Sequence, residues 1–394
     1  MRTIMFTFIL CLSLAYQGAP CYSQIATTTA SAGTASAPAA VDTAHRDAAR
    51  KMIDGGIAYL LSKRDADGGW SVGPNNAFKP AATALALKAL LGEQKYSAQS
   101  PEVKQAMAVL LSFRQKDGGI YGKDGQSAYT TAVAVMALKA ANDPQYNDVI
   151  REATNYLKGL QVLPGQESPD AKPVAADDPR VGGVGYGKPP TYQPNLSVLG
   201  FVMEGWESAG VPADDPAVQK AAEFLTRLQN RSESNSQAVA AKGSNDGGFY
   251  YALDESKAGS EDGGLRSYGS MTYVGFKSML YAGLSKDDPR VQAAYSWIRR
   301  YWGLDSNPNM PDKQSQQGLF YYYQVLAKAL RAYGQPIIKD AKNQEHNWRH
   351  ELIDALAKRV QADGSWKNDA DRWEEGSPIL VTVYCVTALQ EAMK

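Results

Sequence analysis

The sequence predicts an all-α fold, an α/α toroid of about six helical hairpins arranged as an inner and an outer ring of helices. Three observations lead there. A helix–turn–helix unit recurs along the chain, its turn keeps the form Asp-Gly-Gly or a near variant, and the two helices of each unit differ in polarity. The turn triplet starts at Asp67, Asp117, Asp246 and Asp262, with Asp363-Gly364-Ser365 as a variant. Aspartate supplies a side-chain acceptor for a tight turn, and glycine tolerates the positive φ it requires.

Taken in order, "YLLSKRDADGGW" (59–70) leads to "AATALALKALLG" (81–92), and "VLLSFRQKDGGI" (109–120) leads to "AYTTAVAVMALKAAN" (128–142). A weaker copy runs from "YLKGLQ" (156–161) through "VGGVGY" (181–186) to "NLSVLGFVMEGWESAG" (195–210). "FLTRLQN", an insertion and "DGGFYY" (224–251) precede "SMTYVGFKSMLYAGL" (270–284). "YSWIRRYWGLD" (295–305) precedes "GLFYYYQVLAKALRAYG" (318–334), and "LAKRVQADGSW" (356–366) precedes "PILVTVYCVTALQEAM" (378–393). The first helix of a unit is amphipathic: Ile53, Ile57, Leu60 and Leu61 share one face, with Lys and Asp around them. The second is apolar or small nearly all round and so expects burial on several sides. "DDPAV" (214–218) and "DDPRV" (287–291) mark outer-helix starts, with Asp at the cap and Pro at the first helical position. An open solenoid of hairpins is the competing arrangement, but it does not require one helix of each pair to be apolar all round.

The chain has 394 residues and equal counts of Lys+Arg and Asp+Glu. Zero formal net charge argues against nucleic acid or an anionic membrane as the main partner. One Arg followed by an apolar run from Ile4 to about Ala15 fits a secretory signal and is too short for a membrane span. The expected organisation is a signal peptide over 1–24, an Ala/Thr/Ser-rich linker over 25–43 and one toroid domain over 44–394. The product would be periplasmic or extracellular, with no transmembrane segment after signal removal. Cys11 would leave with the signal, Cys21 also lies before the domain, and Cys385 alone gives no disulfide framework.

The pattern Gln/Arg–x–x–(x)–Gly–x–Trp recurs as Arg64–Gly68–Trp70 and Gln361–Gly364–Trp366, with Gln115–Gly118–Ile120 as a variant. In this the chain, over about 45–394, resembles the terpenoid cyclase and protein prenyltransferase superfamily. The resemblance implies an α/α toroid and an isoprenoid-like substrate. It does not bring that superfamily's catalytic sets. A zinc set of Asp, Cys and His is missing around Cys385, no Asp-x-Asp-Asp stretch exists, and Leu91 in "LGEQ" replaces the cysteine of a thioester motif. His346 and His350, in "HNWRH", have an i, i+4 spacing that can chelate, but two solvated histidines on an outer helix explain it as well. No metal and no cofactor are expected.

What remains is an aromatic lining. Arg266, Tyr268, Tyr273, Tyr321 and Tyr322 are the candidate ligand-binding residues, since tyrosine joins a broad apolar face to a polar tip. Asp254, Glu255, Glu261 and Asp262, in the acidic loop before the fourth inner helix, are the candidate acids or bases. Lys88, Lys139, Glu204, Lys277, Lys328 and Gln390 share a late position on the inner helices, where cations meet the macrodipole. Three classes stay open: an exported cyclase- or transferase-like enzyme holding an isoprenoid or similar apolar ligand, a non-catalytic binding or scaffold toroid, and a toroid polysaccharide lyase acting on a glycan.

Overall fold

The computed structural model describes residues 41–394 apart from 74–75, 77, 124–125, 168–171, 189–192, 238–241, 243 and 262. The expected signal peptide and nearly all of the expected linker lie outside the described residues. Twelve α-helices dominate the rest: α1 (Thr43–Ser62), α2 (Lys79–Leu91), α3 (Pro101–Leu111), α4 (Ser127–Ala140), α5 (Asn147–Gly159), α6 (Leu196–Ala209), α7 (Pro216–Thr226), α8 (Gly269–Tyr281), α9 (Pro289–Arg300), α10 (Leu319–Tyr333), α11 (Trp348–Ala357) and α12 (Pro378–Met393). Two small antiparallel ribbons accompany them, β1 (Ser260–Glu261) with β2 (Gly264–Leu265) and β3 (Ile337–Lys339) with β4 (Glu345–Asn347). Among the described residues, no helix is long and apolar enough to cross a membrane.

Even-numbered helices form the inner ring. Each packs on the next in the order α2, α4, α6, α8, α10, α12, and α12 packs back on α2. The ring closes, which excludes the open solenoid. Odd-numbered helices lie outside, each against its inner neighbours, and α1 joins α11 and α12 across the seam between first and last units. The polarity contrast follows. α4 buries every residue from Thr130 to Leu138, whereas α5 buries one face through Val149, Ile150, Ala153 and Leu157.

The repeated turn is a docking device. In it, Asp67, Asp117, Asp246 and Asp363 accept the backbone N–H two residues on, at 3.0–3.1 Å. The glycine between is left-handed and sits on the next unit's outer helix. A Cβ on Gly247 would lie 2.5 Å from the Ala293 carbonyl of α9, and one on Gly364 would lie 2.7 Å from Gly55 of α1. The last turn thus docks on the first helix. The next residue's N–H donates to a threonine of the inner helix: Trp70 to Thr83, Ile120 to Thr131, Phe249 to Thr272 and Trp366 to Thr382, at 3.0–3.2 Å. Trp70 and Trp366 are fully buried, and their indole N–H groups donate to Leu60 and Leu356 carbonyls at 2.7 and 2.9 Å.

The Gln/Arg of the pattern also has a physical role. Arg64 donates to the carbonyls of Gly68 and Glu102, Gln161 to those of Gly182 and Ala217, and Gln229 to those of Gly247 and Arg290. Each stitches its turn to the start of the following outer helix. Gln115 departs from this and binds the carbonyls of Phe113 and Tyr121.

At the C-terminal end of the inner ring, side chains from four helices meet. Glu204 of α6 is buried, with Lys277 of α8 and Lys328 of α10 each at 2.6 Å and Lys88 of α2 at 4.0 Å. Burial opposes the charge of Glu204, but the three ammonium groups outweigh it and hold the carboxyl far below the usual carboxylate range. Burial and Lys328 push Lys88 down to about 8. Gln390 of α12 completes the end by donating to the Ala89 carbonyl and to Glu93, both at 2.8 Å. Lys139 is exposed and does not join. Replacing Glu204 with Gln strands two buried lysines and should cost about 3–5 kcal/mol in urea unfolding at pH 7. A loss below about 1 kcal/mol would mean that the helix carbonyls alone hold the lysines.

Candidate ligand cavity

The opposite end of the ring is open. A cavity of about 290 Å³ lies where the six inner helices begin. Every inner helix contributes from its first turns: Ala81, Ala82 and Leu85 from α2, Tyr129 from α4, Ser197 and Phe201 from α6, Ser270 and Met271 from α8, Tyr321 from α10, and Leu380 and Tyr384 from α12. Loops add Phe78, Tyr186, Tyr251, Lys257, Tyr268 and Trp373. The rings form a connected wall. Tyr129 meets Phe201 edge-on at 4.7 Å, and Phe201 and Tyr384 each lie 5.9 Å from Tyr321. Burial raises the pKa of the hydroxyls of Tyr129, Tyr251, Tyr321 and Tyr384, so they stay protonated.

The expected residues divide. Tyr268 and Tyr321 line the cavity. Tyr273 and Tyr322 do not; they pack edge-on at 5.5 Å in the core, and the Tyr322 hydroxyl donates to the Gly303 carbonyl at 2.7 Å. Arg266 pairs with Glu261 at 3.0 Å, outside the lining. Lys257 does reach the cavity, with its ammonium 4.3 Å above the Tyr251 ring and paired to Glu255. The acidic-loop candidates are not the cavity's acids: Asp254, Glu255 and Glu261 are exposed and none lines it, while Asp262 lies outside the described residues.

The histidine pair also separates. His346 lies on β4, before α11 begins, with Nδ1 2.7 Å from Glu351, whereas His350 stands on α11 and faces His45. The outer-helix reading of that pair is thereby corrected. Cys385 is buried and free.

Two carboxyls of the loop before α12 line the cavity, Glu374 and Glu375, and Glu375 is the buried one, 1% exposed. One oxygen accepts the Tyr321 N–H at 2.8 Å and the other accepts Asn368 Nδ2 at 2.6 Å. It therefore caps α10, whose own Gly318 has no side chain to do so. Burial pushes its pKa up to about 7, against the pull of these donors. The same loop holds Trp373 and Glu374 at positive φ, 60° and 64°, a backbone state that side chains rarely adopt. Trp373 is 41% exposed at the rim, with the Arg372 guanidinium 4.5 Å from its ring. The sequence reading missed this loop. The available signal was a pair of carboxylates one turn before an inner helix, the level at which all six N-termini gather.

Between the unfolded value near 4.5 and the folded value of about 7, the native protein holds a Glu375 proton that the unfolded chain has released. Stability from this group therefore falls as pH rises through that window. Glu375→Gln removes the dependence, so the wild-type minus variant difference should decline by on the order of 3 kcal/mol from pH 4.5 to above 7. Urea unfolding at both ends checks this, and a flat difference would mean that Glu375 is ionised throughout.

No protein-family profile and no curated protein matches the chain. Solved structures do. The type II terpene cyclase MstE from Scytonema, in complex with geranylgeranyl dihydroxybenzoate, superposes with a TM-score of 0.51 at 15% identity, over 90% of this chain and 99% of that one. Candida albicans protein geranylgeranyltransferase-I complexed with GGPP gives 0.50 at 13% identity, over 86% and 90%. A glycosidase gives 0.51 at 14%, over 90% and 99%. With its closed double ring, the chain has an α/α toroid fold, and it shares that fold with the terpene cyclase, the geranylgeranyltransferase and the glycosidase.

Proposed function

We propose that the open end of the ring binds an isoprenoid-like apolar molecule. The observation that carries this reading is the aromatic wall: rings from α4, α6, α10 and α12 line one cavity in edge-on, stacked and tilted contact. Such a lining rewards removal of hydrocarbon from water. The isoprenoids bound by the terpene cyclase and the geranylgeranyltransferase support the same choice of ligand. Lys257, at the edge, suits a single polar or anionic end group.

A second reading, catalysis, has one observation in its favour. Glu375 is a buried carboxyl at the cavity whose pKa is pushed up to about 7, so a large fraction carries a proton at neutral pH. In a cyclase-type reaction that proton would pass to an alkene carbon, leaving the carboxylate held by the Tyr321 N–H and Asn368.

Binding of geranylgeraniol in detergent, followed by calorimetry, tests the first reading. Tyr321→Ala and Tyr268→Ala should each weaken it about tenfold or more, in line with the loss of one buried aromatic contact. Tyr273→Ala should cost stability rather than affinity. Unchanged affinity in both cavity variants, or selective binding of an oligosaccharide instead, would reject it. Conversion of a polyprene to a cyclised isomer that disappears in Glu375→Gln would establish catalysis, and its absence with binding intact would leave a binding protein.

A further inference from the structure

On the outside of the ring, away from the cavity, the closing seam brings together ligating side chains from the two ends of the chain. Asp42 caps α1 and His45 lies in its first turn, while His350 lies in the first turn of α11 and Asp354 one turn later. Asp42 and His350 are 308 positions apart in sequence. We propose that Asp42, His45 and His350 form a site for a divalent first-row transition ion that ties α1 to α11.

Two features argue for it. The ligand atoms of the three residues all lie within 4.8 Å of one another, with both Asp42 oxygens 2.8 Å from His45 Nδ1 and Oδ2 3.7 Å from His350 Nδ1. Ligand atoms around a tetrahedral ion with bonds of about 2.0–2.2 Å stand roughly 3.3 Å apart, so the separations bracket what is needed. The second feature is orientation. His45 Nδ1 donates to Asp42, and Asp354 stands 3.5 Å from Nε2, where it can hold the remaining ring proton once Nδ1 turns its lone pair to an ion. A carboxylate behind a ligating imidazole in this way fixes the tautomer and raises ligand basicity. The His45 and His350 rings stack in parallel with centroids 4.0 Å apart, so each must turn out of the stack for their lone pairs to meet at one ion.

Binding requires modest rearrangement. The hydrogen bond between Asp42 and His45 is replaced by the ion. His350 shifts its proton to Nε2 and gives up the 3.3 Å bond from the Asp42 N–H. Imidazole and carboxylate together suit Zn²⁺, Co²⁺, Ni²⁺ or Cu²⁺ better than Mg²⁺ or Ca²⁺, and a water completes four ligands. The sequence reading expected no metal because the Asp, Cys and His set is missing around Cys385 and the i, i+4 pair His346 and His350 is explained as well by two solvated histidines. The chelating partner of His350 is instead His45, brought in by ring closure.

The full chain, stripped with chelator and dialysed against Co²⁺ or Zn²⁺, should take up one ion, with visible d–d absorption for Co²⁺ at one equivalent. His45→Ala and His350→Ala should each weaken binding at least tenfold, and Asp354→Asn should weaken it by a smaller factor. His346→Ala, which removes the chain's third histidine, should leave it unchanged. Far-UV circular dichroism of each variant confirms that loss of binding is not loss of fold. Uptake that does not saturate at one equivalent, or that survives both His45→Ala and His350→Ala, would overturn the proposal, as would loss of binding in His346→Ala.

Discussion

Six inner helices pointing the same way around a closed ring concentrate helix dipoles. Each helix carries roughly half a positive charge at its start and half a negative charge at its end. Antiparallel neighbours would cancel these; parallel ones gather them into a positive mouth and a negative base. Much of the polar chemistry of the domain answers this constraint. At the base, Lys88, Lys277 and Lys328 converge on Glu204, and Glu391, Glu207 and the helix C-termini add counter-charge. At the mouth, Glu375 caps α10 from another segment and so consumes donors that would otherwise face the cavity. The base is filled with charge and the mouth is left open and aromatic. That asymmetry puts the candidate site at one end only.

The turns close the ring that creates this polarity. A left-handed glycine lets one unit's turn lie against the outer helix of the next, and a threonine on the inner helix fixes the turn from the other side. Gly364 on Gly55 repeats between last and first units what Gly247 on Ala293 does between neighbours. The ring therefore closes by the contact that propagates it. This part of the fold was legible in the sequence, because Asp-Gly-Gly, the buried aromatic after it and the contrast between helix faces are local patterns. The threonines stand at a matching place in four units and could have been read from the same alignment.

The site was legible only in outline. A tyrosine-rich lining follows from composition, but which tyrosines face inward depends on angle. Tyr321 and Tyr322 are consecutive, so about 100° of helix rotation separates them, and only the first reaches the cavity. On α8, Ser270 and Met271 occupy the inward arc, which leaves Tyr273 directed into the core against Tyr322. Glu375, the Glu204 cluster and the Asp42–His45–His350 group were not legible for a common reason. Each joins residues from elements distant in sequence, at a place fixed only when the order and closure of the ring are known. Their pairings carry no local spacing signal. The shared late position of Lys88, Lys277 and Lys328 was visible, but not that they meet a carboxylate across the axis.

The account turns on the open end of the ring being the place where an apolar ligand sits. Photo-crosslinking with a diazirine-bearing geranylgeraniol, followed by peptide mapping, tests this most directly. The expected labels fall on the peptides containing Phe201, Tyr268 and Tyr321, with none at Lys277 or Lys328 in the base. Labels confined to the outer helices or to the base would contradict it.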